Sequence, residues 1–144
     1  ITGSGILDFD TGTGELSLGN IGKDNNDDQI FTSLLIDSTG KLNVNGEINI
    51  TSTLFNFSNL NAIELNSDLT LGSLEELAKV DFGAATINGT HDLTLYTNDL
   101  TLGTVGNNIA LQDLTIVNQS KTPLELSNDI TLVGSLDINS NSLI

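Results

Sequence analysis

The sequence predicts an all-β protein, a right-handed parallel β-helix (β-solenoid) with three short strands in each coil of roughly 20–22 residues. Three observations predict it. Apolar residues flank single residues in short triplets, turn-forming residues separate the triplets, and the order of triplets repeats after about 84 residues.

Short, half-buried strands are predicted by fifteen triplets in which two apolar residues stand on either side of one middle residue. A period of two places the flanking side chains on one face of a strand and the middle side chain on the other. The triplets start at residues 7, 16, 34, 42, 48, 55, 63, 69, 80, 93, 100, 114, 124, 130 and 136. We therefore expect stacked Leu and Ile inside, and ladders of Thr, Asn and Asp outside.

Corners are predicted between the triplets, where Gly, Asn, Asp, Ser and Thr accumulate, as in GTG, NNDD, STGK and GNN. These residues tolerate turn and left-handed conformations. The turns recur every six to ten residues or so, which is too often for an ordinary β-sandwich.

An internal duplication favours a solenoid over other β architectures. The triplets that start at 7, 16, 34, 42, 48 and 55 recur at 93, 100, 114, 124, 130 and 136, and LSLGNIG at 16–22 matches LTLGTVG at 100–106. We interpret residues 1–144 as one solenoid segment with about 1.7 copies of a unit, at 6–90 and 91–144. Four coils per unit and about six or seven coils in all are expected, wound right-handed as β-crossovers prefer.

One segment departs from the pattern. Ser73 is followed by Glu76 at capping-box spacing, within the run SLEELAK at 73–79. The sequence leaves two alternatives, a single helical turn that bulges from a coil and an irregular loop.

The chain is strongly acidic, with 19 Asp and Glu against 4 Lys and Arg and a formal net charge of -15. Such a surface repels phosphate and anionic lipid, so we expect no nucleic-acid partner. Membrane insertion is not expected either, because no apolar run approaches the roughly 18 residues that a span needs. Cysteine is absent, which excludes disulfides and thiolate metal sites.

Asp24, Asn26 and Asp28 are the candidate metal ligands, because D-x-N-x-D is a spacing that calcium loops use. The EF-hand pattern does not continue, since Gln29 replaces the turn glycine and Leu35 stands where the bidentate glutamate belongs. A solvated acidic loop is the alternative. No other cofactor is expected.

An enzyme is the natural rival, because parallel β-helices also include polysaccharide lyases and hydrolases. Such sites need clustered carboxylates and a cation to stabilise developing charge, but the chain has no Arg and its lysines are scattered. His91, the only histidine, is expected at the surface without a catalytic partner. Tyr96 and Phe31 are candidate carbohydrate platforms, with packing as the favoured alternative. We predict no catalytic residues and no enzymatic activity.

The run from Val80 to Gln119 resembles the repeats of filamentous-haemagglutinin-type exoproteins and related giant bacterial surface proteins. The recurring elements are FGAA at 82–85, HDLTL at 91–95 and LTLG-x-x-G at 100–106, with a looser match over 6–22. The resemblance implies a β-helical rod exported by a bacterium, with a role in adhesion, cohesion or display.

We therefore expect a structural or adhesive segment of a secreted bacterial surface or extracellular fibre protein. Its expected partners are other copies of itself, by end-to-end or lateral assembly, neighbouring repeats of the same chain, and surface glycans. Exposed strand edges at the two ends of a solenoid favour such stacking. A glycan-binding or polysaccharide-degrading β-helix is the alternative function.

Overall fold

The computed structural model of the chain is a parallel β-solenoid of about six coils. It describes residues 1, 5–22, 31–48, 52–121 and 123–141. All strand pairings within these ranges are parallel. The same ranges contain no helix, and therefore none long and apolar enough to cross a membrane. The predicted all-β solenoid is confirmed.

Twelve strands are present in the described part of the chain, and most are three to five residues long, as the triplets predict. They are β1 (Gly5–Gly12), β2 (Leu16–Leu18), β3 (Phe31–Ser38), β4 (Lys41–Val44), β5 (Leu54–Asn56), β6 (Ala62–Leu65), β7 (Leu69–Leu71), β8 (Ala78–Asp81), β9 (Thr86–Gly89), β10 (Leu93–Thr101), β11 (Leu114–Asn118) and β12 (Leu136–Ser140).

The strands form three faces. Face 1 contains β1, β3, β5, β8 and residues 99–101 of β10. Face 2 contains β2, β4, β6 and β9, and continues through single bridged residues at Val105 and Ile130. Face 3 begins with the bridged residues Ile21 and Ile48 and contains β7, residues 93–97 of β10, β11 and β12. Because β10 bends around a corner at 97–99, it belongs to two faces and joins them into one sheet.

The coils differ in length by the residues in their corners. Leu7 pairs with Leu34, a step of 27 residues, whereas Ile87 pairs with Val105, a step of only 18. The strands keep their register across these differences, since extra residues are accommodated between strands. Coil length is therefore set by the corners, and the observed steps of 18 to 27 residues lie on both sides of the predicted 20–22.

The interior consists of apolar rows that run along the axis. Each row is formed by the inward residues of one face, and the side chains of the middle coils are buried. The rows are Leu7–Leu34–Phe55–Val80–Leu100 on face 1, Leu16–Leu42–Ile63–Ile87–Val105–Ile130 on face 2 and Leu69–Leu93–Leu114–Leu136 on face 3. Full burial of each Leu or Ile contributes roughly 1.5–3 kcal/mol.

Aromatic stacking adds to the core at one corner. The ring of Phe57 lies 5.5 Å from that of Phe82 and 6.4 Å from that of Phe55, at interplanar angles of 23° and 29°. All three rings are buried. Offset stacking of this kind stabilises a core by about 0.5–1.5 kcal/mol per pair beyond burial.

Buried polar side chains occupy corners, where their hydroxyl groups bond the backbone. Thr97 is fully buried, and its hydroxyl donates to the carbonyl of Ala78 and accepts the N–H of Asp99. Ser52 makes the equivalent bonds, donating to the carbonyl of Thr32 and accepting the N–H of Leu54. These bonds satisfy backbone groups that would otherwise be costly to bury.

The segment 73–79 is an irregular loop that leads into a strand, and not a helical turn. The hydrogen bond expected for a capping box is present, because the N–H of Glu76 donates to the hydroxyl of Ser73 at 3.0 Å. The chain then enters β8 at Ala78, and Lys79 pairs with Leu54. The strand leaves too few residues for a helix, whose first turn is costly to nucleate.

The expectation of four coils per duplicated unit is wrong. The triplet at 16 lies on face 2 of the first coil, and its match at 100 lies on face 1 of the fifth coil. With three strand positions in each coil, the two triplets are eleven positions apart, whereas four complete coils would make twelve. The triplets at 7 and 93 and those at 34 and 114 show the same shift, from face 1 to face 3. The two copies are thus related by a step one face short of four coils. The division into copies at 6–90 and 91–144 stays a prediction from the sequence.

Candidate functional surfaces

A ladder of side chains runs along the corner between faces 2 and 3. It occupies the residue just before each face 3 strand or bridge, and we call it the axial ladder. Its members are Asn20, Glu47, Asp68, Asp92, Asp113 and Ser135. Each coil thus contributes one polar residue at the same place.

The side chains of the axial ladder bond one coil to the next. A carboxylate oxygen of Asp68 accepts the N–H of Asp92 at 3.1 Å, and one of Asp92 accepts the N–H of Asp113 at 3.2 Å. Asp113 in turn accepts the N–H and the hydroxyl of Ser135. In the first coil an amide does the same, since Asn20 Oδ1 accepts the N–H of Glu47 at 3.0 Å.

The axial ladder has a direction, because the side-chain acceptor always belongs to the earlier coil. In the adjacent backbone hydrogen bond the acceptor belongs to the later coil instead, because the N–H of Leu69 donates to the carbonyl of Asp92 at 2.9 Å. Leu93 and Leu114 repeat this arrangement toward Asp113 and Ser135. Charge-assisted bonds of this type are the stronger class, so the ladder fixes coil against coil at the surface.

The sequence interpretation missed the axial ladder, although a signal was present. Asp precedes the triplet in DLTL at 68–71, DLTL at 92–95 and DLTI at 113–116. An acidic residue at the same offset before three strands indicates a shared role for its side chain.

The two ends of the solenoid expose parts of the core. At the carboxy-terminal end β12 pairs with β11 alone in the described part of the chain, and Leu136 is 45% exposed although it continues a buried row. At the amino-terminal end Leu7, Phe9 and Leu16 are only half-buried. Because all strands are parallel, the edge at one end of the stack matches the edge at the other.

The predicted metal ligands Asp24, Asn26 and Asp28 lie outside the described residues. Within the described ranges, no group of three or more His, Asp or Glu side chains is placed to hold a metal ion. The calcium loop therefore stays a prediction.

The described charged groups are spread over the surface. On face 2, Lys41 Nζ lies 3.5 Å from Glu15 Oε1. On face 1, Lys79 Nζ lies 3.1 Å from Asp99 Oδ2. His91 Nδ1 lies 3.3 Å from Asp68 Oδ1 at the axial ladder.

The two candidate aromatic platforms lie in different environments. Phe31 is buried in the core, as the packing alternative predicts. Tyr96 is half-buried and follows Leu95 on face 3, with its register partner Val117 beside it. Of the two candidates, only Tyr96 is exposed enough to contact a carbohydrate.

Comparison with protein families, with curated proteins and with solved structures finds no match. The fold agrees with the β-helical part of the resemblance to filamentous-haemagglutinin-type exoproteins. Membership of that family is not shown.

Proposed function

We propose that this chain is a structural or adhesive segment of a secreted bacterial surface or extracellular fibre protein. The observation that supports this role is the stacking of about six coils, with three apolar rows inside and one side-chain ladder outside. A β-solenoid of this kind resists bending because parallel strand pairing joins neighbouring coils on each of its three faces. At about 4.8 Å per coil, six coils extend roughly 29 Å.

The mechanism that we propose is mechanical. A stack of coils holds other parts of a fibre away from the cell, and it needs no catalytic group, cofactor or nucleic acid. The resemblance to giant bacterial exoproteins agrees with export and a location at the cell surface. The net charge of -15 keeps such a surface hydrated and separate from anionic lipid.

Self-association by end-to-end stacking is part of the proposal. The matching edges give a heterologous contact, which propagates into a filament when it does not close into a ring. Leu136 lies at the exposed end of the face 3 row. Repulsion between chains of charge -15 opposes stacking at low salt, so high salt or calcium should promote it.

Sedimentation velocity and light scattering of the 144-residue chain test the stacking. We expect larger species in 1 M NaCl or millimolar CaCl2 than in 10 mM NaCl. Leu136→Lys should abolish this growth, whereas Leu74→Lys, at a leucine that is 61% exposed away from the ends, should not. Unchanged mass under all three conditions, or equal effects of the two variants, would contradict end-to-end stacking.

The structural role is tested on cells and on glycans. Antibodies against the chain should label intact cells that produce it, and beads coated with it should attach to those cells. A polysaccharide depolymerisation assay should give no signal, and on a glycan array the chain should bind no single glycan class selectively. Selective binding to one glycan class, or depolymerisation, would favour the glycan-binding or glycan-degrading alternative instead.

A further inference from the structure

One middle residue breaks the outward pattern of the triplets. The middle residue is polar in fourteen of the fifteen triplets and is Leu35 in the remaining one. Leu34 and Ile36 point into the core and are buried, so the side chain of Leu35 lies on the outer surface of face 1. An apolar side chain in an otherwise polar row indicates a local purpose.

Leu35 lies in a surface groove of about 200 Å³ that is also lined by two carboxylates, those of Asp8 and Asp37. Asp8 is its register neighbour in the preceding coil and Asn56 its neighbour in the following one. Asp37 and Asn59 complete the lining near the corner between faces 1 and 2, together with Ile36. The groove thus combines an apolar floor with polar walls.

The walls of the groove offer more free acceptors than free donors. Asn59 Nδ2 donates to Asp37 Oδ1 at 2.6 Å, which leaves the other oxygen of Asp37 and Asn59 Oδ1 available. No hydrogen bond or ion pair engages Asp8 in the described part of the chain. Asn56 Oδ1 accepts the N–H of Ser58, so the free donors are the two N–H groups of Asn56 Nδ2 and the second N–H of Asn59 Nδ2.

We propose that this groove binds the side chain of a lysine from a basic partner protein. An ammonium group has three donors and no acceptor, which matches the acceptor-rich walls. Its four-carbon stem is apolar and packs on surfaces such as that of Leu35. The charges agree, because two carboxylates flank the groove and the whole chain carries -15.

Other ligands fit the groove less well. A hydrated metal ion needs oxygen ligands on several sides, whereas Leu35 lies between Asp8 and Asn56. A neutral sugar can donate its hydroxyls to the two carboxylates, but it carries no charge that complements them. The planar fork of arginine requires a carboxylate in bidentate geometry, and Asp37 already shares one oxygen with Asn59.

The test is a titration of the full chain, labelled with ¹³C at the leucine methyl groups, with Nα-acetyl-lysine N-methylamide. We expect a saturable shift of the Leu35 methyl signals that weakens with added salt. Asp8→Asn should raise the dissociation constant about 2- to 5-fold, in line with a surface ion pair. Leu35→Thr, which restores a residue typical of the row, should weaken binding further; because this variant lacks the Leu35 methyl groups, its binding is read from the backbone amide signal of the neighbouring Ile36 in ¹⁵N-labelled protein and compared with the parent by the same signal.

Glu64→Gln is the matched control, because it removes one negative charge from face 2, away from the groove. It should change the dissociation constant less than 1.5-fold or so. An equal effect of Glu64→Gln and Asp8→Asn would show attraction by net charge only and overturn the proposal. So would an equal shift with the norleucine analogue, which lacks the ammonium, or a saturable shift with glucose or calcium in place of the lysine analogue.

Discussion

The axial ladder predicts that Asp92→Asn raises the stability of the fold at low salt and lowers it at high salt. Asp92→Asn keeps a side-chain oxygen for the N–H of Asp113 and removes one negative charge between Asp68 and Asp113. Asn20 shows that an amide accepts this bond in the first coil. Asp92→Ala removes the charge and the acceptor together.

The two effects of Asp92→Asn are of similar size. Carboxylates on neighbouring coils are about 5 Å apart, so each pair repels by roughly 0.8 kcal/mol at the dielectric constant of water, and two pairs by about 1.6 kcal/mol. Exchanging a charged acceptor for a neutral one costs about 1 kcal/mol. We therefore expect the variant to be about 0.5 kcal/mol more stable than the parent at low salt. At high salt repulsion is screened, and it should be about 1 kcal/mol less stable.

Urea unfolding followed by circular dichroism at pH 8, in 10 mM and 1 M NaCl, measures these differences. Asp92→Ala should be about 1 kcal/mol less stable than Asp92→Asn at both salt concentrations. Glu64→Gln removes a charge outside the ladder and controls for net charge. Equal stabilities of the Ala and Asn variants would refute the role of the side-chain bond. The repulsion between coils is refuted if Asp92→Asn and Glu64→Gln respond identically to salt.

Three further substitutions test the core and the corners by the same unfolding assay. Phe57→Ala should cost about 3–5 kcal/mol, because the ring is buried between two others, and a loss below 1 kcal/mol would contradict that packing. Gly72→Ala should destabilise far more than Gly12→Ala, although both glycines have positive φ, because only at Gly72 does an added Cβ meet a backbone atom, the carbonyl oxygen of Tyr96; equal losses would refute the close approach. Thr97→Val should cost about 1–3 kcal/mol by leaving buried backbone groups unpaired, and Thr97→Ser should restore most of it.

The strands and their inward residues were predictable because burial in a solenoid follows a period of two. Most members of the rows belong to triplets that the sequence displays, as at Leu42 and Ile63, although Ile87 and Val105 on face 2 belong to none. Which face a triplet occupies was not predictable. All three faces use the same apolar pattern, and the number of residues in a corner does not reveal how far the chain turns there.

The functional surfaces were harder to predict than the strands. In the sequence, Asp92 is indistinguishable from an ordinary turn residue. Only the parallel register of the strands places it between two other aspartates. Leu35 lies within a triplet, so its exposure follows only from the buried positions of Leu34 and Ile36. The helical alternative at 73–79 depended on local propensity, which pairing of Lys79 in a strand overrides.

The step of eleven strand positions determines in which direction repeated surface residues point. Ser17 and Thr101 are equivalent in the two copies of the unit, and both are exposed, yet they look outward from different sides of the stack. Two probes attached at these positions would diverge around the circumference. A motif repeated along such a fibre is therefore displayed in more than one direction, so a fibre lying against a neighbour on one flank still presents the motif on another.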